Sequence, residues 1–245
     1  MHRRLPALGR LYRRMADRRW QSRTVTMHNL TLCLPPPMVD VDLQERSAIL
    51  NEAQKADVFI DVGANVGLYS FLVAASGKPV VAVEPLKQNL DVLARNVQLN
   101  PSLRSLIEIA PIGLSDREGQ VTIYGFGTVA SLISTWNATA NSHQETISVS
   151  TLDKLIGDRF VGAKLLIKID VEGCELRVLQ GAKTVLARTP RPAWLVEIFR
   201  NFPTTGATNP DFDATFSIFD SYGYSVTAID EKNFLFQAPQ TLKVN

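Results

Sequence analysis

The stretch Asp61-Val62-Gly63-Ala64-Asn65-Val66-Gly67 follows directly on Val58-Phe59-Ile60, an apolar run that reads as a buried strand. Few folds accommodate this junction. Gly63 and Gly67 admit backbone torsions and close approaches that a Cβ forbids, and a helical pattern opens near Gly67 with Leu68, Phe71, Leu72 and Ala75 on one face. A strand that ends in a carboxylate and turns through glycines into a helix is the start of a βα unit, which belongs in a parallel sheet.

The rest of the chain repeats that alternation. The pattern predicts a helix over Leu43 to Lys55, the strand Val58 to Asp61, a second strand over Val80 to Glu84, and a helix carrying Leu86, Leu90, Leu93 and Val97 until Asn100-Pro101 stops it. Strand three covers Leu106 to Ile112, followed by a strand-like piece, Gly119 to Tyr124, and a Ser/Thr/Asn-rich stretch, Thr128 to Glu145. Then come strand four (Leu165 to Asp170), a helix (Glu175 to Leu186), strand five (Trp194 to Phe199), a helix near Phe212 to Ser221, and terminal strands Ser225 to Ile229 and Asn233 to Gln237. Ahead of all this, Thr24 to Leu34 reads as one strand-like piece closed by Pro35-Pro36-Pro37. Strands apolar on both faces, alternating with helices, define an α/β protein with a mostly parallel sheet covered on each side. Ligands of such sheets sit beyond the carboxyl ends of the strands, near the switch point.

The phase of the glycines narrows the ligand. A dinucleotide fingerprint would read G-x-G-x-x-G, but here Asn65 stands at the second glycine position and Leu68 at the third. A pyrophosphate is therefore disfavoured. The phase D-x-G-x-N-x-G suits a nucleoside without phosphates whose amino-acid end needs hydrogen-bond partners at the turn, as in S-adenosylmethionine. Glu84 ends strand two, twenty-three positions after Asp61, where an acid commonly accepts both ribose hydroxyls. Asp61, Gly63, Asn65, Gly67 and Glu84 are thus the expected cofactor residues, with NAD as the alternative ligand.

With these residues in view, the chain resembles the FkbM family of S-adenosylmethionine-dependent methyltransferases. The likeness rests on Phe59 to Gly67, Val83-Glu84-Pro85, Asn96 to Asn100, Gly113-Leu114-Ser115-Asp116, Thr151-Leu152-Asp153 and, above all, Leu166-Ile167-Lys168-Ile169-Asp170-Val171-Glu172-Gly173-Cys174-Glu175. It runs from about Ala56 to Gln237. What it implies is a Rossmann-like class I fold, with a mostly parallel seven-stranded sheet and helices on both faces. It also implies methyl transfer to a hydroxyl of a sugar, glycan or natural-product acceptor.

A sulfonium is a good leaving group, so alignment of the acceptor dominates such chemistry. A hydroxyl must also lose its proton, and a positioned base adds about 10²–10⁴-fold. Asp170 ends strand four and is the candidate that orients or deprotonates the acceptor, with Glu172 in the same turn. A carboxylate of ordinary pKa, about 4, is a poor base for an alcohol, so orientation is the expected task of Asp170. The competing role for Asp170-Val171-Glu172-Gly173 is to turn the chain and cap the following helix. Lys168 reads as a structural partner for one of these acids. Glu197, at the end of strand five, reads either as part of a carboxylate rim suited to a divalent ion or sugar hydroxyls, or as a satisfied structural acid. His143 is a candidate general base on a polar loop, against the commoner role of bystander. Ser115 and Asp116 stand where an adenine ring is edged, although Asp116 with Gly119 also reads as a simple turn. No Asp/Asn-Pro-Pro-aromatic tetrad follows strand four, which favours oxygen over a planar amino group as acceptor.

Composition removes other classes. The 245 residues, 45% of them apolar, support one domain with extensions: residues 1–40 as a basic arm and lead-in, 41–245 as a methyltransferase domain. No apolar run approaches the roughly 18 residues of a membrane span, and no signal-peptide pattern opens the chain, so the expected compartment is the cytoplasm. Cys33 and Cys174 have no partner spacing, and no metal ligands are expected. Residues 1–23 hold eight arginines against the single acid Asp17. With Leu8, Leu11, Tyr12 and Met15 near one helical face, this arm is either a solvated tail or a peripheral contact with an anionic surface. No basic stripe with interleaved aromatics exists beyond it, so nucleic acid is not an expected partner. Two other classes remain as alternatives: a nicotinamide-dependent oxidoreductase and a non-catalytic nucleoside-binding adaptor.

Overall fold

The computed structural model describes residues 23–35, 43–125, 131, 144–203 and 205–239. The arginine arm up to residue 22, His143 and most of the polar stretch from Thr128 lie outside the described residues.

The chain opens with two strands where one strand-like piece was expected: β1 (Arg23–Met27) and β2 (Leu30–Leu34) pair antiparallel. Between them His28 and Asn29 have φ of 49° and 63°, and two consecutive positive φ values make the tight two-residue turn that matches strand twist. Helix α1 (Leu43–Lys55) follows, then β3 (Val58–Val62), α2 (Leu68–Ala74), β4 (Val80–Val83), α3 (Lys87–Leu99) and β5 (Ile107–Ala110). A side sheet comes next, formed by β6 (Gly113–Leu114), β7 (Gly119–Tyr124) and β8 (Gln144–Ser150) in the order β6-β8-β7. Strand β8 was not expected, because its alternating residues merge into the polar run that precedes it.

After α4 (Leu152–Ile156) and β9 (Leu165–Ile169), the helix expected over Glu175 to Leu186 is two: α5 (Glu175–Gln180) and α6 (Lys183–Ala187). Gly181 separates them. A Cβ there would lie 2.1 Å from the carbonyl oxygen of Ser115, so the chain passes the side sheet at glycine distance and then restarts. The restart is capped by Asp153, whose carboxylate accepts from the N–H groups of Thr184 at 3.0 Å and Val185 at 2.9 Å. The chain ends through β10 (Ala193–Glu197), α7 (Phe212–Ser221), β11 (Ser225–Ala228) and β12 (Asn233–Gln237).

The main sheet has seven strands in the order β11-β12-β10-β9-β3-β4-β5. Strand β12 runs antiparallel to both neighbours, and the β10-β9-β3-β4-β5 pairs are parallel. The chain steps outward from β3 through β4 to β5, then returns to the other side of β3 as β9. That reversal makes the crevice between the carboxyl ends of β3 and β9 the switch point. One face of the sheet packs Phe59, Leu166 and Leu195 against α1, α2, α3 and the hairpin. The other packs Ile60, Ile167 and Val196 against α4 to α7, with Trp194, Phe219 and Phe236 at its centre. No helix among the described residues is long and apolar enough to cross a membrane.

Asn96 of α3 joins three segments. Its Oδ1 accepts from the Cys33 N–H at 2.6 Å, and its Nδ2 donates to the carbonyls of Cys33 and of Val66 in the glycine turn. Removing a fully buried side chain with these partners leaves backbone groups unpaired in a dry interior. Asn96→Ala is expected to cost about 2–3 kcal/mol and to lower Tm by roughly 5–10 °C in a thermal melt.

Candidate active site

Strand periodicity puts the charged residues of the switch point on one face. Phe59, Leu166 and Leu195 face α1 and α2, so Asp61, Lys168 and Glu197, each two residues further along, face the same way. Asp61 and Lys168 are directly in register on neighbouring strands. The Asp170 N–H donates to the Val62 carbonyl at 3.0 Å, carrying the pairing one residue beyond β9.

The glycine turn is built for close approach. Gly63 has φ 82°, and a Cβ there would lie 1.8 Å from the Asp170 carbonyl oxygen. Gly67 has φ 88°, with Leu93 and Phe71 filling the space a side chain would need. Asn65 is also left-handed, at φ 53°. Its N–H donates to Glu84 Oε2 at 2.9 Å. Glu84 Oε1 accepts from the Leu86 N–H at 2.8 Å and from Asn89 Nδ2 at 3.2 Å. An ionised carboxylate has about four acceptor positions, so Glu84 supports the turn from within and keeps one position on Oε2. Burial raises its pKa to about 7 against the pull of these donors. Asp61 accepts from Ser70 Oγ of α2 at 2.6 Å through Oδ2. Its Oδ1, like Oδ1 of Asn65, is a buried acceptor without a hydrogen-bond partner. A turn with two unpartnered acceptors and one vacant carboxylate position asks for a ligand rich in donors.

The second half of the crevice is acidic. Asp170, 28% exposed at its side chain, receives the Lys168 ammonium at 2.8 Å. Burial pushes its carboxyl up, but Lys168 and a hydrogen bond with Glu197 outweigh that and hold it below the usual range. Glu197 is shifted the opposite way, its pKa raised by burial and by the neighbouring Asp170. Glu197 is also paired with Lys232. Glu172 sits at φ 54°, and burial together with Asp170, Glu197 and Glu175 raises its carboxyl well above the ordinary value. Glu175, the first residue of α5, folds back on the turn ahead of the helix and accepts from the Gly173 N–H at 2.9 Å and the Val171 N–H at 3.3 Å; the N-cap residue Cys174 makes no side-chain cap. Asp170, Glu172 and Glu197 offer oxygens that all lie within 4.8 Å of one another. Divalent ions that prefer oxygen bridge such spacings, although two lysines already neutralise part of the cluster.

Ser115 and Asp116 follow β6 and bond to each other at 2.9 Å. No hydrogen bond joins them to the glycine turn among the described residues. The side sheet still approaches the crevice, because Leu86 packs on Ile123, Ile147 and Val149, and Ser131 Oγ donates to the Glu172 carbonyl at 2.6 Å. Sequence reasoning missed Ser131, Glu45, Tyr69 and Lys232. Lys168, expected as a structural partner for one of the acids, is paired with Asp170.

A seven-stranded, mostly parallel sheet ordered around a β3/β9 switch point, with helices on both faces, is a Rossmann-like methyltransferase fold. The family model for the methyltransferase FkbM domain matches residues 61–226, and the chain belongs to that family. Hexuronic acid methyltransferase AglP of Haloferax volcanii is 30% identical over 143 residues, 56% of this chain and 55% of that protein. The chain therefore spans about half the length of that curated relative. Among solved structures, the methyltransferase FkbM of Methylobacillus flagellatus superposes with a TM-score of 0.52 at 20% identity, over 74% of this chain and 44% of the other. The O-methyltransferase of Bacillus cereus, in complex with SAH, has a TM-score of 0.52 at 12% identity, over 82% of each chain.

The turn offers a controlled comparison. Gly77 has φ 84° with nothing within 4 Å of a Cβ, whereas Gly63 has the same torsion against the Asp170 carbonyl. Gly77→Ala should cost only the left-handed strain of about 1–2 kcal/mol, while Gly63→Ala should cost more than about 3 kcal/mol. Thermal melts of the two variants side by side measure the difference.

Proposed function

We propose that this protein transfers a methyl group from S-adenosylmethionine to a hydroxyl of a sugar-type acceptor. The observation that carries the reading is the pair of unpartnered buried acceptors, Asp61 Oδ1 and Asn65 Oδ1, beside Glu84 and across the switch point from an ionised Asp170. The ammonium and ribose hydroxyls of S-adenosylmethionine are the donors such a turn lacks, and it carries no phosphate for the missing fingerprint glycine to accommodate. Asp61 and Asn65 would hold its amino-acid end and Glu84 its ribose. When bound, it supplies a methyl group activated on a sulfonium. The FkbM match supports methyl transfer, and the relative that acts on hexuronic acid supports a sugar acceptor.

The chain's own residues then divide the work. Asp170, kept ionised by Lys168, accepts a hydrogen bond from the acceptor hydroxyl and orients its oxygen. Glu172, when ionised, is the better proton acceptor, because burial and like charges raise its proton affinity above that of an ordinary carboxylate. As carbon–oxygen bond formation proceeds, the hydroxyl proton passes to Glu172.

Two experiments test this. In titration calorimetry S-adenosylmethionine and S-adenosylhomocysteine should bind and NAD should not, and Glu84→Ala should weaken both sulfur nucleosides. Ribose hydroxyls bind the ionised carboxylate, so wild-type affinity should fall as pH drops below about 7, a dependence that Glu84→Gln removes. Binding of NAD instead would sink the reading. Second, with uronic-acid and neutral glycosides as acceptors, Glu172→Gln should lower turnover by about 10²–10⁴-fold while leaving S-adenosylhomocysteine affinity intact. The wild-type rate should rise with pH above the ordinary carboxylate range, since a base works only when ionised, and this limb should vanish in Glu172→Gln. A variant that turns over normally would remove Glu172 from the chemistry.

A further inference from the structure

Lys168 is an ammonium group in the middle of an apolar strand, with a side chain only 2% exposed. Such a group remains charged only among carboxylates. Two of them offer it a seat. Asp170, two residues along β9, holds Nζ at 2.8 Å. Asp61 is the in-register neighbour on β3, and its Oδ1 is a buried acceptor without a hydrogen-bond partner. Adjacent strands run about 4.8 Å apart, so a four-carbon side chain reaches either.

The ammonium rests on Asp170, and a third acid accounts for that choice. Glu45 of α1 lies 3.9 Å from Lys168 Nζ and is almost fully buried. Its Oε2 accepts from the Tyr69 hydroxyl of α2 at 2.6 Å, and the Tyr69 ring lies 5.1 Å from the same ammonium. Lys168 Nζ thus lies within ion-pair distance of both Asp170 and Glu45, and among the described residues no ion pair joins it to Asp61. Glu45 therefore adds its attraction to the seat on Asp170. Lys232, the other cation of the basin, is engaged by Glu197.

We propose that Glu45 is a positioning residue that draws the Lys168 ammonium onto Asp170 and away from Asp61. One interaction thereby fixes both halves of the crevice: it secures the carboxylate that orients the acceptor and keeps Asp61 Oδ1 open for the ammonium of the methyl donor. The functional consequence rests on the methyltransferase reading, whereas the position of Lys168 does not. Tyr69 pins Glu45 by hydrogen bond and places its ring beneath the lysine, so the selecting group is itself held.

The test combines crystal structures with calorimetry, using S-adenosylhomocysteine as the probe. Glu45→Gln keeps the size of the side chain and an acceptor for Tyr69 but removes the charge. Lys168 Nζ is expected to leave Asp170 for Asp61 Oδ1. Affinity for S-adenosylhomocysteine should fall about tenfold, the loss of one charge-assisted hydrogen bond, at unchanged Tm. A Lys168 that stays on Asp170 in this variant overturns the proposal. Tyr69→Phe carries the same expectation at smaller size and serves where the first variant does not fold. Adding Asp61→Asn to Glu45→Gln removes the second seat and should return the ammonium to Asp170; an ammonium found elsewhere also overturns it. Wild-type protein that binds no S-adenosylhomocysteine removes the cofactor reading, and the crystallographic position of Lys168 then decides the inference alone.

Discussion

The approach of Gly63 to the carbonyl of Asp170 is the constraint on which the rest of the structure depends. A Cβ at 1.8 Å cannot exist, so the turn after β3 and the turn after β9 touch backbone to backbone across the switch point. That contact aligns the two halves of the crevice. Gly63 then leaves its strand in the left-handed region, Asn65 follows in the same region, and the Asn65 N–H meets Glu84. Asn96 secures the far side of the turn through the Val66 carbonyl while gripping the hairpin at Cys33. The glycines therefore serve internal packing first. The proposed cofactor site is the space that this packing leaves beside Asp61 and Asn65.

Charge completes what backbone geometry begins. Burial costs every ion on this face several kcal/mol unless it is paired, and acids outnumber lysines in the basin. The excess raises the proton affinity of most of these acids. Glu45, Asp61, Glu172 and Glu197 all have raised pKa values, chiefly through burial, and Asp170 is shifted the other way. A carboxylate held ionised by a buried ammonium, among acids of raised proton affinity, is an arrangement suited to one carboxylate that orients and another that, once ionised, receives a proton. The difference follows from which acid holds the buried ammonium.

The framework was legible in the sequence because its signals are local. The apolar runs at Val58, Val80 and Leu165 announce buried parallel strands. Helix α3 ends at Leu99, where Asn100-Pro101 foretold the stop. The hairpin was hidden because His28-Asn29 lacks the glycine that usually marks such a turn. The break at Gly181 was hidden because its cause, the Ser115 carbonyl, is distant in sequence. At the site, Asp61, Glu84 and Asp170 were legible as acids at strand ends. Hidden from the sequence were the three protein donors that Glu84, expected to accept ribose hydroxyls, already holds. Glu45 and Tyr69 were invisible, because each is an ordinary helical residue until the fold brings it over Lys168.

The span of the family match sharpens this last point. It begins at Asp61 and ends at residue 226, covering the glycine turn, Glu84, and the block from Lys168 to Glu197. Glu45 precedes it and Lys232 follows it, yet these two residues press on Lys168 and Glu197 from either side. The matched segment thus carries the residues proposed to meet the cofactor and the acceptor, and segments beyond it pair with two buried members of the basin. A match confined to residues 61–226 therefore leaves out two of the residues that pair with the buried charges of this face.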